Sequence, residues 1–401
     1  MRVLMLVTSD VAGDSRVVRE ASTLAAAGHA VHVIGRGVPS GWQPPAGVTV
    51  SSVDAGTGLR RDRGTSEPSA DPGGQPSALP AGSPVRRALP PHLRAARWAL
   101  LPRHNATVLA RFTAGAAADA AGRDADVVHA HDFNTLALAT RLAEAKQARL
   151  VYDTHEFWSG RPRVGRPTPY AARRDLAAER ALGARADAVI TVGPGVAGLL
   201  RQEFGWEHVT VVRNSFPLPE TPYALPDAPT GAVYAGRMAP YRELETVADA
   251  ARRLEGLRLT AIGPADPTWL ATFEPGPLEV RPALPLPEAE QMIAERGLAL
   301  VTHSARWVNH RVALPNKLFL AVRVGVPVVA TDVDELAGVV RQHGLGTLYA
   351  PGDAVGLARA VREAVERWPE LVAAVRAAQP ALSWDVDAAA LLSVYRALER
   401  G

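Results

Sequence analysis

The stretch Leu314 to Val329, LPNKLFLAVRVGVPVV, decides the fold of this chain. Pro315 suits the start of a helix, because the N–H it lacks is one that a first helical turn leaves unpaired. The apolar run Val324 to Ala330 behind it reads as a strand buried on both faces. A helix feeding directly into such a strand is the repeating unit of a parallel α/β sheet. The amides of Asn316, Lys317 and Leu318 lie at the positive end of the helix dipole, where an anion is favoured, and Lys317 adds a point charge. Lysine is scarce here: Lys146 and Lys317 are the only two among 44 basic residues, the rest being arginine. A surface lysine in an ordinary first turn is the plainer alternative.

Working outward, the same strand–helix rhythm fills the chain. Towards the N-terminus, Leu298 to Val301, Pro287 to Glu295, Leu278 to Arg281, Leu257 to Ile262, Glu243 to Leu254 and Ala232 to Ala235 alternate as strands and helices. The five prolines of NSFPLPETPYALPDAP interrupt that rhythm and mark a linker. Before it the alternation runs from a first strand, Arg2 to Thr8, through the helix Ser15 to Ala27, to Val209 to Val212. After it, Asp353 to Arg367 and Trp384 to Leu398 read as helices. The expected organisation is an N-terminal Rossmann-like domain at 1–213, a linker at 214–230, a second Rossmann-like domain at 231–383 and a last helix at 384–401. Two such domains facing each other make a cleft lined by strand ends.

Within the first domain, Ala55 to Pro84 is rich in Gly, Pro and Ser, nearly free of large apolar residues, and reads as a mobile loop. The stretch Val85 to Gly122 reads as a basic helix, suited to an anionic membrane surface or acidic acceptor, or simply to water. Up to Pro217 there are 26 Lys plus Arg against 19 Asp plus Glu; beyond it there are 18 against 22, so the N-terminal half is the basic one. A hydrophobic content of 47% fits an ordinary globular chain. With no cysteine, disulfides, thiolate metal sites and cysteine nucleophiles are excluded. No apolar run reaches the length of a membrane span, and MRVLMLVTSD is too short for a signal segment, so a cytoplasmic protein is expected, peripheral at most at the inner membrane face. The overall charge of +3 and the lack of a basic face interleaved with aromatics argue against nucleic acid.

Three strand ends carry candidate chemistry. In YAGRMAPYR, Arg237 and Arg242 follow a strand and a glycine, an arrangement in which backbone and guanidinium can approach a phosphate; with 42 arginines in the chain, surface charge is the rival reading. In VVHAHDF and YDTHEF, two successive strand ends bring His129, His131, Asp132, Asp153, His155 and Glu156 to one rim. Hydrogen bonding to substrate hydroxyls is expected there and no metal, since no ligand spacing supports one. Gly193, Gly195 and Gly198 spell a literal GxGxxG, but too late in the order of strands and with Pro194 inside it, so a tight turn is expected.

Taken together, DSRVVREASTLAAAGHAVHVI, DVVHAHDFNTL, LVYDTHEF, ADAVITVGPGV, VVRNSF, YAGRMAPYRELE and LPNKLFLAVRVGVPVVATDVDEL resemble the nucleotide-sugar-dependent glycosyltransferases of family 4, over nearly the whole chain and in the right order. The resemblance implies an α/β GT-B fold whose C-terminal domain binds the donor diphosphate through Arg237, Arg242, Lys317 and Asn316. It implies His131 at the donor sugar near the reacting carbon, Asp14, His155, Glu156 and Asn214 along the donor or acceptor cleft, and the last helix, 384–401, crossing back onto the N-terminal domain. It further implies transfer of a sugar to an acceptor hydroxyl with retained configuration, without metal or other cofactor. The acceptor would be a glycan, a lipid-linked molecule or a small molecule. The chain departs from the family where two glutamates, with seven residues between them, usually meet the donor sugar and ribose: Val312 and Leu320 stand there. That departure motivates two rival readings, a non-catalytic partner subunit of another transferase and a sugar-nucleotide epimerase on the same fold. His310, Asn309 and Glu335 are the neighbours that could substitute.

Overall fold

A computed structural model describes residues 1–39, 41–55, 91–161 and 169–400. The expected mobile loop lies, beyond Ala55, outside the described residues, as does the expected start of the basic helix at Val85 to Pro90. The first half runs β1 (Arg2–Asp10), α1 (Ser15–Ala26), β2 (Ala30–Arg36), β3 (Val48–Ser52), α2 (Pro91–Ala121), β4 (Val127–His131), α3 (Phe133–Lys146), β5 (Arg149–Thr154), α4 (Pro169–Gly183), β6 (Ala188–Thr191), α5 (Pro194–Phe204) and β7 (Val209–Val211). The second runs β8 (Gly231–Ala235), α6 (Leu244–Ala251), β9 (Arg258–Ile262), α7 (Pro267–Leu270), β10 (Glu279–Arg281), α8 (Leu286–Arg296), β11 (Gly297–Val301), α9 (Val308–Arg311) and α10 (Asn316–Val324). It continues through β12 (Val328–Thr331), α11 (Asp334–His343), β13 (Gly346–Tyr349), α12 (Ala354–Glu366), α13 (Trp368–Ala378) and α14 (Trp384–Arg400).

The strands form two wholly parallel sheets, ordered β3-β2-β1-β4-β5-β6-β7 and β10-β9-β8-β11-β12-β13. In each, the order reverses beside the first strand, between β1 and β4 and between β8 and β11. Ligands of open α/β sheets bind at such a switch point, beyond the carboxyl ends of the strands. His131 ends β4, and Arg237 and Arg242 follow β8, so the candidate residues stand at the two switch points.

Local sequence explains the elements that matter here. Helix α10 begins after Pro315, which sits at the cap with φ −71° and ψ 144°, and ends at Gly325, whose left-handed φ of 88° lets its N–H reach Ala321 O and Val322 O. Strand β1 alternates between two cores: Leu4 and Leu6 pack with Phe112 and Leu136, while Val3, Met5 and Val7 pack under α1 and α14. Helix α14 therefore returns from the second half to cover the first sheet, burying Trp384, Leu391, Val394 and Tyr395. It is pinned by Asp387, whose Oδ1 accepts from Arg213 N at 2.8 Å and from Arg213 Nε at 3.0 Å, and by Trp384 N, which donates to Phe216 O at 3.0 Å.

Three elements between the opening stretch and the tail escape a reading by periodicity. Helix α11 starts after Val333 with no side-chain cap, β13 is four residues long, and α13 follows α12 with only Arg367 between them. Helix α9, four residues long, has the same problem and matters more, because it reaches across the cleft.

Candidate active site

The C-terminal pole of the cleft is cationic. Lys317 stands in the first turn of α10 with Nζ 4.8 Å from the ring centroid of Tyr234, the penultimate residue of β8. A Cβ built on Gly236 would lie 2.8 Å from Lys317 Cε, so only glycine leaves room for the lysine at the end of β8. Burial, with the Arg242 guanidinium adding to it, pulls the ammonium down to about 7, and no carboxylate among the described residues offsets the two effects. Arg242 is 9% exposed, and its Nε is buried without a hydrogen-bond partner among the described residues. Its backbone oxygen accepts from Thr302 Oγ1 at 2.6 Å, which ties the loop after β8 to the end of β11. Tyr241 and Glu243, on either side of Arg242, both have left-handed backbones, with φ 65° and 60°. Such strain at non-glycine residues costs on the order of 1–3 kcal/mol each and collects at ligand sites. Arg237 is half-buried, and its carbonyl accepts from Tyr234 OH at 2.7 Å. Asn316 opens α10 beside Lys317.

Two histidines complete this pole. His303 is buried with Nδ1 unpartnered, and burial, then Arg242, His310 and Lys317, hold it well below the usual imidazole range. His310 accepts or shares a hydrogen bond with Ser304 Oγ at 2.8 Å and is pulled down to about 4 by burial and Arg242. Its ring meets those of His303 at 4.3 Å and Trp307 at 4.7 Å. Both imidazoles are neutral at pH 7, so the positive charge of the pocket comes from arginine and lysine.

The N-terminal pole is a buried network around Asp153. Arg16 donates to Asp153 through Nε at 2.8 Å and Nη2 at 2.7 Å, and to Val212 O at 2.7 Å and Asn214 Oδ1 at 3.3 Å through Nη1. His131 Nδ1 lies 3.1 Å and His155 Nε2 3.3 Å from Asp153 Oδ2. Against the penalty of burial, Arg16 and His155 hold the Asp153 carboxyl well below its usual range. Likewise, against burial, Asp132 and Asp153 hold His155 well above the imidazole range. Asp132, the residue after β4, has φ 61°, and its Oδ1 accepts from His155 N at 3.1 Å. The sequence-predicted residues His131, His155 and Asn214 thus meet in one network. Asp14 serves α1 instead: it is buried at the N-cap, accepting from Val17 N at 3.2 Å and from Ser9 Oγ at 2.7 Å.

Ligating atoms of Glu20, His129, His131 and Asp153 lie within 4.8 Å of one another, close enough for one metal ion to bridge. The Arg16 guanidinium already spans the two carboxylates, 2.9 Å from Glu20 Oε1 and 2.7 Å from Asp153 Oδ1, and supplies the compensating positive charge.

The two poles are joined by a seam. Asn309 Nδ2, on α9, donates to Glu156 Oε2 at 3.0 Å and Phe157 O at 2.9 Å, both in the first half. A Cβ built on Gly195 would lie 2.8 Å from Val312 Cβ and 2.7 Å from Glu335 Oε2, so the GxGxxG stretch packs closely against the second domain. Val312 packs onto the first domain's core and Leu320 is 7% exposed in the second's. Of the three neighbours expected to substitute for glutamates, Asn309 and Glu335 lie in this seam and His310 bonds Ser304.

Sequence reasoning missed Arg16, Glu20, His303 and Tyr395. The first two stand on α1, where Arg16 and Glu20, one turn apart, are buried beside the apolar Val17, Ala21 and Leu24. Their spacing as an i, i+4 pair was the available signal.

Comparison with known proteins gives this geometry a context. The model of glycosyltransferase family 4 matches residues 14–218, and that of glycosyl transferases group 1 matches residues 229–367. The glycogen synthase of Mycobacterium tuberculosis is 28% identical over 307 residues, covering 69% of this chain and 70% of its own. Among solved structures, the sucrose-phosphate synthase of Thermosynechococcus elongatus superposes with a TM-score of 0.68 at 17% identity over 100% of both chains. Anabaena HepE, solved with UDP, superposes with a TM-score of 0.64 at 14% identity over 99% of this chain and 100% of its own. The shared fold is GT-B.

Proposed function

The chain belongs to glycosyltransferase family 4, and from that premise we propose that it moves a hexose from a nucleoside diphosphate sugar to an acceptor hydroxyl, with retention and without a metal. The observation that carries this is the pairing of Lys317 with Arg242 beside Gly236, at the N-terminus of α10 and the switch point of the second sheet. A buried cationic pocket with no carboxylate among the described residues to offset the charge of Lys317 is made for a polyanion. Breaking the bond between the anomeric carbon and the diphosphate oxygen leaves the electron pair on the diphosphate. Lys317, Arg242, Arg237 and the α10 amides with Asn316 stabilise that growing charge, a role otherwise given to a divalent cation. His131, held through Nδ1 by Asp153, would present its unpartnered Nε2 to the donor sugar. Retention requires the acceptor to arrive on the face that the diphosphate leaves, which places its hydroxyl at the rim that His155, Glu156 and Asn214 share.

The acceptor is assigned to the first domain. Its excess of basic residues favours an anionic or lipid-linked acceptor, held where a peripheral protein meets a membrane surface. Among the described residues no helix is long and apolar enough to cross a membrane.

The test is release of nucleoside diphosphate from a panel of nucleoside diphosphate hexoses, with EDTA present throughout. Turnover should persist in EDTA and fall by roughly 100-fold or more in an Arg237→Ala/Lys317→Ala double variant. Val312 and Leu320 favour one rival, a non-catalytic partner subunit. That rival requires no turnover with any donor and unchanged partner assembly in the double variant.

A further inference from the structure

We propose that Tyr395, in the last helix, is a positioning residue that orients His131 through His129. The inference rests on the reading of His131 as the group at the donor sugar. Tyr395 is fully buried, and its hydroxyl lies 2.8 Å from His129 Nδ1. The His129 ring stacks on that of His131, with centroids 4.4 Å apart and planes 14° from parallel. Both histidines are completely buried on β4, a strand with no exposed position. His129 is therefore the plate against which His131 lies, and Tyr395 is the group that fixes the plate.

The chemistry determines how it is fixed. A buried neutral imidazole has one donor and one acceptor nitrogen. Burial, together with the Glu20 and Asp153 carboxylates, keeps the Tyr395 hydroxyl protonated and able to donate, and in the proposed arrangement it donates to Nδ1 of His129. The His129 proton then sits on Nε2, which faces Glu20 Oε2 at 3.8 Å. Glu20 faces Arg16, Arg16 holds Asp153, and Asp153 accepts from Nδ1–H of His131. The hydrogen bond to Asp153 occupies Nδ1 of His131 and leaves its buried Nε2 with its lone pair bare. Without the tyrosine hydroxyl, Nδ1 of His129 would be orphaned in a dry interior, and turning the ring or moving the proton would break the stack.

The tyrosine comes from the helix that follows the second domain and closes over the first. Docking of that helix and orientation of His131 are thus one event rather than two.

The test uses the full chain labelled with 15N-histidine and needs no donor. Long-range 15N–1H spectra should show His129 as the Nε2–H tautomer and His131 as the Nδ1–H tautomer, with assignments from His129→Asn and His131→Asn. In Tyr395→Phe, which removes only the hydroxyl, the His129 tautomer ratio should shift by roughly fivefold or more. The ring signals of His131 should move with it, while those of His303 and His310 stay. If the His131 signals are unchanged in Tyr395→Phe, the inference is overturned. The opposite tautomer at His129 in the native chain overturns it without any variant. Either failure leaves the donor-site reading standing, because that reading is tested separately by turnover of His131→Ala.

Discussion

Asn309 and Glu156 are hydrogen-bonded across the interdomain cleft, Nδ2 to Oε2 at 3.0 Å, and the residue three positions on, Val312, packs against Gly195 in the same seam. The position where the family resemblance leads one to expect a glutamate is here part of a contact between domains. Restoring the glutamate should therefore harm the protein. Val312→Glu is expected to lower the unfolding free energy by about 1–3 kcal/mol, the cost of a carboxylate forced against Gly195 and Glu335, and to leave turnover no higher. Denaturant unfolding and donor turnover of the variant check both halves of the statement.

Gly236 gives a cleaner probe of the cationic pole. Its φ of 152° and the 2.8 Å approach of Lys317 Cε to a built Cβ mean that Gly236→Ala must displace the lysine. The clash is with the end of a flexible side chain, so the fold should survive. Affinity for a nucleoside diphosphate should fall by roughly tenfold or more, read by calorimetry alongside an unchanged far-UV spectrum.

Lys317 also predicts a pH dependence. With its ammonium at about 7 in the free protein, the lysine is largely neutral above that pH. A bound diphosphate restores the charge, so binding takes up a proton and weakens as pH rises above 7, by up to about tenfold per unit. Lys317→Arg keeps a charge that cannot be lost and should flatten the dependence. Calorimetry in buffers of different ionisation enthalpy counts the protons directly.

Glu179 supplies the stability counterpart. Buried beneath Tyr152 and Ser159, it is raised from 4.5 to about 7 by burial. The folded state then binds the proton more tightly than the unfolded one. Stability from this group is complete below pH 4.5 and is lost as pH rises through 7, by on the order of 3 kcal/mol. Glu179→Gln should remove that loss, so its stability relative to the native chain should grow between pH 4.5 and 7. Unfolding free energies of both proteins across that range test it.

Much of this site could be read from the residues, and the parts that could not share one cause. Strands with continuous apolar runs, helices with a clear stripe and the proline and glycine that bound α10 each impose a local signature, so the alternation, both sheets, the strand end at His131, the loop with Arg242 after β8 and the helix start with Lys317 were legible. Arg16 and Glu20 were not, because a polar side chain on the buried face of a helix looks like one on its wet face until the partner is known. That partner, Asp153, lies 137 residues away from Arg16. Tyr395 was hidden in the same way: the family resemblance sends its helix back to the first domain, but nothing local names its partner, His129, 266 residues away. Helix α9 was too short for any period, yet it delivers Asn309 to Glu156.

The central claim is that the pocket of Arg242, Lys317 and the start of α10 holds a nucleoside diphosphate without metal. Isothermal titration of the native chain and Lys317→Ala with UDP, GDP, ADP and dTDP in EDTA tests it most directly. The expected result is binding of at least one of the four, weakened by roughly 100-fold in the variant. Binding of none, or binding that Lys317→Ala leaves unchanged, would contradict it.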